Sequence, residues 1–248
     1  VSAFPAVLNG RIRTSVASDR YRFQATKGMT LVAFTEGRVL PRGMFRPALA
    51  FSDAAGKPCE GVKVFDAESA PVAVFEVPQD GAYVLTVTGA PGKVAGWAGS
   101  VYRIKLGALP LVTGFSPAGA KAGESLNVRL AGCNLAQKRV RLFTGGKNSE
   151  LCLETLAGDA YVLPKLRFDL SEESDVDEKE PNNAPEQAQA LTLPCVVNGD
   201  LEAAGGGRDL YRFDGKKGEA LYADVRAEEL GSPLKPRVTV RNARGEAV

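Results

Sequence analysis

Two stretches of the 248-residue chain repeat the same residues in the same order. Each stretch opens with Asn-Gly, continues through an Asp-x-Tyr-Arg-Phe motif and a Lys-Gly pair, and ends with a proline and a later glycine. In the first copy these landmarks are Asn9-Gly10, Asp19 to Phe23, Lys27-Gly28, Pro47 and Gly56. In the second copy they are Asn198-Gly199, Asp209 to Phe213, Lys217-Gly218, Pro236 and Gly245. A match of this length indicates a duplicated domain, so the two copies are expected to share one fold.

Short β-strands are predicted between these landmarks. The runs are rich in β-branched and aromatic residues, several alternate apolar with polar side chains, and glycine, proline or aspartate bounds them. They cover residues 21–23, 31–34, 72–77, 83–87 and 102–106. Such strands at close spacing predict an all-β chain of tandem antiparallel, jelly-roll-like β-sandwiches with an immunoglobulin-like β module between them.

Four segments are predicted along the chain. They are a first β-sandwich at 1–107, a β module at 108–170, an acidic linker at 171–186, and a second copy of the sandwich at 187–248. Residues 184–191 are expected to form one or two helical turns, because Pro185 stands at an early position where helices tolerate proline. Val248 aligns with Cys59, so the second copy is expected to be incomplete and to expose unpaired strand edges.

Composition excludes several classes of active site. The chain contains no histidine, which excludes Ser-His-Asp triads, Cys-His dyads and histidine-containing zinc sites. Its four cysteines form no C-x-x-C pair, so an all-cysteine zinc site is not expected. Cys133 and Cys152 are candidates for a disulfide, and buried free thiols are the alternative that we favour. No apolar run approaches the ~20 residues that a membrane-spanning helix needs.

The acidic linker holds the best candidate for a metal site. Four residues within a short span carry oxygen atoms on their side chains, and an aspartate at the start of a predicted strand adds a fifth. The five candidate ligands are Glu178, Glu180, Asn182, Asn183 and Asp209. Calcium takes six to eight oxygen ligands of these types, so the pattern is compatible with a calcium site. A solvated acidic linker with a simple turn at Glu180-Pro181 is the alternative.

The same residues resemble a known family. The run Glu178-Lys179-Glu180-Pro181-Asn182-Asn183, joined to the Asp209 to Phe213 strand, resembles the bacterial pre-peptidase C-terminal domain. It is also similar to the collagen-binding domain of clostridial collagenase, and residues 110–135 look like the start of an IPT/TIG module. The resemblance implies β-sandwiches of exported or cell-surface proteins, with calcium fixing the lead-in onto the sandwich. The chain departs from the family at Ala17 and Gly207, where another acid is usual, and at Asn183, where Asp is common.

A basic group of residues in the first copy is a candidate ligand-binding surface. Its arginines are Arg11, Arg13, Arg20, Arg22, Arg38, Arg42 and Arg46. Guanidinium groups pair bidentately with sulfate and carboxylate, so an anionic polysaccharide is one partner, with Arg11, Arg13 and Arg22 as candidate contacts. The alternative is that these are water-facing strand residues without a ligand. Tyr21 and Phe23 alternate with the arginines and are expected to point into the core, which disfavours a stacking surface for nucleic acid.

Two functions stay open for the whole chain. The first is a non-catalytic accessory or adhesion segment of an exported multidomain protein, which binds extracellular polysaccharide or matrix protein or positions neighbouring domains of the same polypeptide. The second is a cleavable pro-region or accessory region of a secreted peptidase. No catalytic residues are predicted, calcium is the one cofactor considered, and neither nucleic acid nor membrane insertion is expected.

Overall fold

The protein is an all-β chain. Its computed structural model describes residues 3–14, 17–36, 47–65, 70–89, 101–145, 149–163, 166–201, 207–232 and 234–247. Strands make up most of the regular structure, which confirms the fold class predicted from the repeat and the alternating runs. Contacts divide the chain into two compact units: the first joins residues 1–113, 132–136 and 159–164, and the second contains residues 114–131, 137–158 and 165–248.

In the part of the first unit that the structure describes, eight strands form a sandwich. They are β1 (Ala6–Arg11), β2 (Ser18–Ala25), β3 (Thr30–Glu36), β4 (Pro47–Asp53), β5 (Lys63–Phe65), β6 (Val72–Glu76), β7 (Gly81–Gly89) and β8 (Val101–Gly107). One sheet has five strands in the order β1-β8-β3-β6-β5, and the other has three in the order β2-β7-β4. Every pair in these two sheets is antiparallel.

Side chains from both sheets share one core. Phe51 of β4 stacks on Phe75 of β6 with ring centroids 5.1 Å apart, so the two sheets pack face to face. In β7, Tyr83, Leu85 and Val87 are buried while the residues between them are only half-buried, as the alternation in the sequence predicts. The predicted runs all lie within β2, β3, β6, β7 and β8 or within one residue of a strand end.

Among the described residues, ten further strands and one α-helix follow. The strands are β9 (Leu111–Ser116), β10 (Gly119–Lys121), β11 (Ser125–Cys133), β12 (Arg139–Phe143), β13 (Tyr161–Val162), β14 (Asp169–Ser171), β15 (Asp175–Asp177), β16 (Gln189–Ala190), β17 (Val196–Asn198) and β18 (Tyr211–Arg212), and the helix is α1 (Ser149–Ala157). β11 and β12 pair antiparallel, whereas β10 with β14, β15 with β17, and β16 with β18 pair parallel. No helix among the described residues is both long and apolar enough to cross a membrane.

Helix α1 was not predicted from the sequence. Only Cys152 and Leu156 are buried on it, one helical turn apart, so its apolar face is too narrow to give a clear period. The helix ends before Gly158, whose N–H donates to the carbonyl of Glu154 at 3.0 Å and whose φ is +53°. A serine at the start and a glycine after the end are the signals that sequence reasoning had available. The helical turns expected at 184–191 reduce to one 3-10 turn at Pro185–Gln187, which is followed by β16.

The repeat is visible in the structure as two matching turns. In the first copy, the side chain of Asp53 accepts hydrogen bonds from the N–H groups two and four residues further on, both at 2.9 Å. In the second copy, the side chain of Asn242 accepts the same two bonds at 2.9 and 3.0 Å. In the first turn the N–H of Gly56 also donates to the carbonyl of Asp53, and in the second turn the N–H of Gly245 donates to the carbonyl of Asn242. The duplication therefore extends from residue order to local geometry.

The two copies differ in how far their apolar residues are covered. Phe23 and Leu31 of the first copy are 2% and 0% exposed. Their counterparts Phe213 and Leu221 are 37% and 47% exposed. In the first copy β3 pairs with both β6 and β8, whereas its counterpart in the second copy, residues 220–226, forms no strand ladder. The apolar pattern is thus present in both copies, but it is packed into a core only in the first.

Candidate metal centre

The acidic lead-in lies along the start of the second copy. Strand β15 pairs parallel with β17, with Asp175 opposite Val196 and Asp177 opposite Asn198. The N–H of Glu178 extends this pairing by donating to the carbonyl of Asn198 at 3.0 Å. The ladder fixes the position of Glu178. The chain continues through a cis Glu180-Pro181 peptide, and the carboxylates of Glu178 and Glu180 lie close to that of Asp209.

Glu178 is the most fully hydrogen-bonded carboxylate of this region. It accepts hydrogen bonds from the N–H of Asp200 at 2.8 Å, the side-chain amide of Asn182 at 2.7 Å and the hydroxyl of Tyr211 at 3.0 Å. Burial works against the charged form, but these three donors, together with a hydrogen bond shared with Asp209, outweigh it and hold the pKa of Glu178 below its ordinary value. Glu178 is therefore a carboxylate that stays ionised although it is half-buried.

Three carboxylates converge at this point. Glu178, Glu180 and Asp209 each have one oxygen within 4.8 Å of the others, and no other group of this kind occurs among the described residues. Burial, a hydrogen bond shared with Glu178, and the negative charges of Glu178, Glu180 and Asp200 raise the pKa of Asp209 to about 6. The cluster is thus an electrostatically strained arrangement that a bound cation would relieve.

Asn182 adds a neutral oxygen beside the carboxylates. Its side chain is fully buried at 0% exposure, and its Nδ2 donates to Glu178. Its backbone N–H donates to Glu180 at 3.0 Å, which closes the turn around the cluster. The Oδ1 atom of Asn182 is buried without a hydrogen-bond partner. A buried amide oxygen without a partner costs about 1–3 kcal/mol, and coordination to a cation would satisfy it.

The structure therefore brings four of the five predicted ligands together. Asn183, the fifth, contacts Glu180 through its nitrogen, with Nδ2 donating at 3.3 Å, and its carbonyl accepts from Arg208 at 3.0 Å. The contact that Asn183 makes with the cluster is thus a hydrogen bond from its nitrogen to Glu180. Carboxylate and amide oxygens are the donors that calcium prefers, so the residues present fit that ion.

Sequence reasoning did not identify Tyr211 or Gly199 as part of this site. A Cβ at Gly199 would lie 3.2 Å from the hydroxyl of Tyr211 and 3.3 Å from Glu178, so the glycine leaves room for both. The signal was available, because the Asn-Gly pair and the tyrosine are landmarks of the repeat. The role of these residues in the site depends on the fold, which brings the segments around Glu178, Gly199 and Tyr211 together.

The first copy fills the corresponding corner with a tyrosine. Asp19 and Tyr21 correspond to Asp209 and Tyr211, and the hydroxyl of Tyr102 on β8 donates to Asp19 at 2.5 Å and lies 2.6 Å from the hydroxyl of Tyr21. A Cβ at Gly10 would collide with the Tyr102 ring. Burial and the bond to Asp19 raise the pKa of Tyr102. Tyr102 thus occupies the place that the Glu178 carboxylate has in the second copy.

The structure distributes the predicted arginines over two sheets. Arg11 ends β1 of the five-stranded sheet, while Arg20 and Arg22 lie on β2 of the three-stranded sheet, and all three are exposed. Arg13 is exposed in the segment after β1, and Arg38, Arg42 and Arg46 lie outside the described residues. Phe23 is buried and Tyr21 half-buried, as expected from their alternation with the arginines.

All four cysteines are free thiols in the structure. Cys152 is buried, and Cys59, Cys133 and Cys195 are half-buried. Burial raises the pKa of each thiol, which disfavours the reactive thiolate. The favoured interpretation of Cys133 and Cys152 as packed thiols agrees with this arrangement.

Comparison of the chain with known protein families, with curated proteins and with solved structures finds no match in any of the three.

Proposed function

We propose that this chain is a non-catalytic segment of an exported multidomain bacterial protein, and that calcium fixes its acidic lead-in onto the second copy of a pre-peptidase C-terminal-like sandwich. The observation that carries the proposal is the convergence of three carboxylates beside the buried, unpartnered Oδ1 of Asn182. The repeated scaffold suits attachment to an extracellular polymer, a polysaccharide or a matrix protein, because linked weak sites gain in overall affinity.

Glu178, Glu180 and Asp209 would provide charged oxygens to the ion, and Asn182 a neutral one. Water would complete the six to eight ligands that calcium takes. The ion would remove the repulsion that raises the pKa of Asp209. It would also join residues from three segments of the sequence, so the lead-in and the second copy would be stabilised together.

The calcium site is tested by thermal unfolding of the full chain in EGTA and in 10 mM calcium. If the dissociation constant is about 1 mM, as in extracellular modules, saturation stabilises by about 1.4 kcal/mol and raises Tm by on the order of 5 °C. Replacing Glu180→Gln keeps an oxygen that can accept from Asn182 but removes one charge, so most of the calcium-dependent shift should disappear.

Glu186→Gln is the matched control, because Glu186 is an exposed acid of the same lead-in that lies outside the cluster. This variant should keep the full calcium shift. An equal loss of the shift in Glu180→Gln and Glu186→Gln would mean that calcium acts by general screening of an acidic segment. The absence of any shift in the unmodified chain would refute the site.

The attachment function is tested with the full chain on an array of extracellular polysaccharides and matrix proteins, in calcium and in EGTA. Retention of one polymer class above neutral dextran and serum albumin is the expected result. Absence of binding to every polymer under both conditions would refute the attachment function and leave the calcium site unaffected.

A further inference from the structure

The β11–β12 hairpin presents a cationic face to solvent. Its antiparallel register places Arg129 directly opposite Arg139, and Asn127 directly opposite Arg141. All four side chains are exposed and line a surface groove. The alternate residues of the same strands, such as Val128 and Leu142, are buried on the other face. The hairpin is thus amphipathic, with guanidinium groups concentrated on its water-facing side.

The arrangement is unfavourable for the strand pair itself. Like charges directly opposite each other destabilise an antiparallel ladder, and side chains in such a pair have Cβ atoms only about 5 Å apart. Arg129 has a partner in Asp200 at 3.3 Å, but both side chains are largely exposed, so the pair is weak. Among the described residues, Arg139 and Arg141 form no ion pair. A local arrangement that costs stability is expected where a ligand compensates for it.

An exposed aromatic ring extends the same face. Phe143 is 64% exposed and lies two residues after Arg141, so both side chains point to the same side of β12. Successive residues on that side are about 7 Å apart along the strand. Arg139, Arg141 and Phe143 therefore form a row, with Arg129 beside its first member.

We infer that this row, together with Arg129, is a binding site for an anionic polysaccharide. Guanidinium groups bind sulfate and carboxylate through paired, charge-assisted hydrogen bonds. The exposed ring of Phe143 offers an apolar surface on which the flat side of a sugar can pack. A single aromatic does not form the successive stacking platform of proteins that bind single-stranded nucleic acid. The inference rests on the proposed attachment function, and it specifies the class of polymer and the surface.

The site is tested by measuring binding of the full chain to immobilised heparin, polygalacturonate and neutral dextran. Heparin and polygalacturonate represent sulfated and carboxylated chains, and binding should weaken as salt rises. The double variant Arg139→Gln/Arg141→Gln is expected to lose affinity by at least about 10-fold, the size expected for lost charge-assisted bonds. The control Arg237→Gln/Arg244→Gln removes the same charge from exposed positions elsewhere and should retain most of the affinity.

A second variant separates binding from folding. Arg139→Glu places opposite charges across the ladder from Arg129, so it should raise Tm while it removes heparin binding. A variant that merely misfolded would lower both quantities. The inference is refuted if both double variants lose affinity equally, if Arg11, Arg13 and Arg22 prove to carry the binding instead, or if DNA of equal charge binds more tightly than heparin. If the unmodified chain binds no polymer at all, the inference and the attachment function fail together. If the unmodified chain binds and Arg139→Gln/Arg141→Gln binds equally well, only this site is refuted.

Discussion

Asp209 is the residue whose charge state depends most strongly on its neighbours. Its pKa in the folded chain is about 6, against an ordinary value of 3.8, because it is half-buried and faces Glu178 and Glu180. A carboxyl whose pKa is raised on folding contributes stability below the lower value and loses it as the pH rises through the higher one. Without calcium, the contribution of Asp209 should therefore decrease between about pH 4 and pH 6.

The variant Asp209→Asn tests this electrostatic account. In EGTA it should be more stable than the unmodified chain at pH 7, and the difference between the two should shrink towards pH 5. In calcium the difference at pH 7 should narrow, because calcium stabilises the unmodified chain and the variant has lost a charged ligand. Urea unfolding at both pH values, with and without calcium, measures all four cases. Equal stability of the two chains in EGTA across this range would show that Asp209 is not repelled by its neighbours.

At the same scale, the residues of the candidate site were only partly predictable. Glu178, Glu180 and Asn182 lie close together in the sequence, so the oxygen-rich pattern is visible without a structure. The contacts of Tyr211 and of the Asp200 N–H with Glu178 depend on the pairing of β15 with β17. That pairing joins β15 and β17 across a segment that contains a 3-10 turn and β16, and no local pattern specifies its register.

Among the elements, the matching turns at Asp53 and Asn242 show what the duplication has preserved. Each side chain accepts two backbone N–H groups, so the turn depends on a side-chain oxygen and not on a negative charge. Strand β4, which leads into the first turn, is anchored in the first core, since its Phe51 is 2% exposed. Val238, before the second turn, is 52% exposed.

Asp53→Ala is expected to destabilise the first unit by about 1–2 kcal/mol, because two hydrogen bonds of about 1 kcal/mol each are lost. Asp53→Asn should be close to neutral, because asparagine keeps the accepting oxygen and is the residue that the second copy uses. Asn242→Ala should have a smaller effect on global unfolding, because the segments beside that turn are largely exposed. Urea unfolding of the three variants provides the comparison. A large loss in Asp53→Asn would indicate that the carboxylate charge has a separate role.

Strands were predictable where one face is buried and the other wet, as in β7, because burial then imposes a period of two. The four short parallel pairs among the described strands, which include β9 with β13, were not predictable, since two or three residues show no period. Helix α1 was missed for a related reason, because Cys152 and Leu156 are its only buried residues. An element could be predicted from the sequence when its buried face was long enough to show a period, whereas residue propensity mattered less.

At the scale of the whole molecule, the two copies of one scaffold differ in the protection of their backbone. In the first copy, β3, the counterpart of residues 220–226, lies between β6 and β8 and hydrogen-bonds to both. In the second copy, residues 213–226 and 234–240 form no strand. Leu221 and Val225, which lie in the first of these segments, are about half exposed. The same apolar pattern therefore exists once as a closed core and once as an open surface.

Hydrogen exchange read by mass spectrometry should resolve this difference. Peptides from β2, β4 and β7 should exchange slowly, because their amides open only with large-scale unfolding. Peptides covering 213–226 should exchange within the earliest time points, because their amides lack ladder partners. Calcium should slow exchange in peptides spanning 175–183 and 207–212, where Glu178, Glu180 and Asp209 lie, and should leave 213–226 unchanged. Strong protection of 213–226 without calcium would mean that this surface is covered in solution, and would contradict the contrast drawn between the two copies.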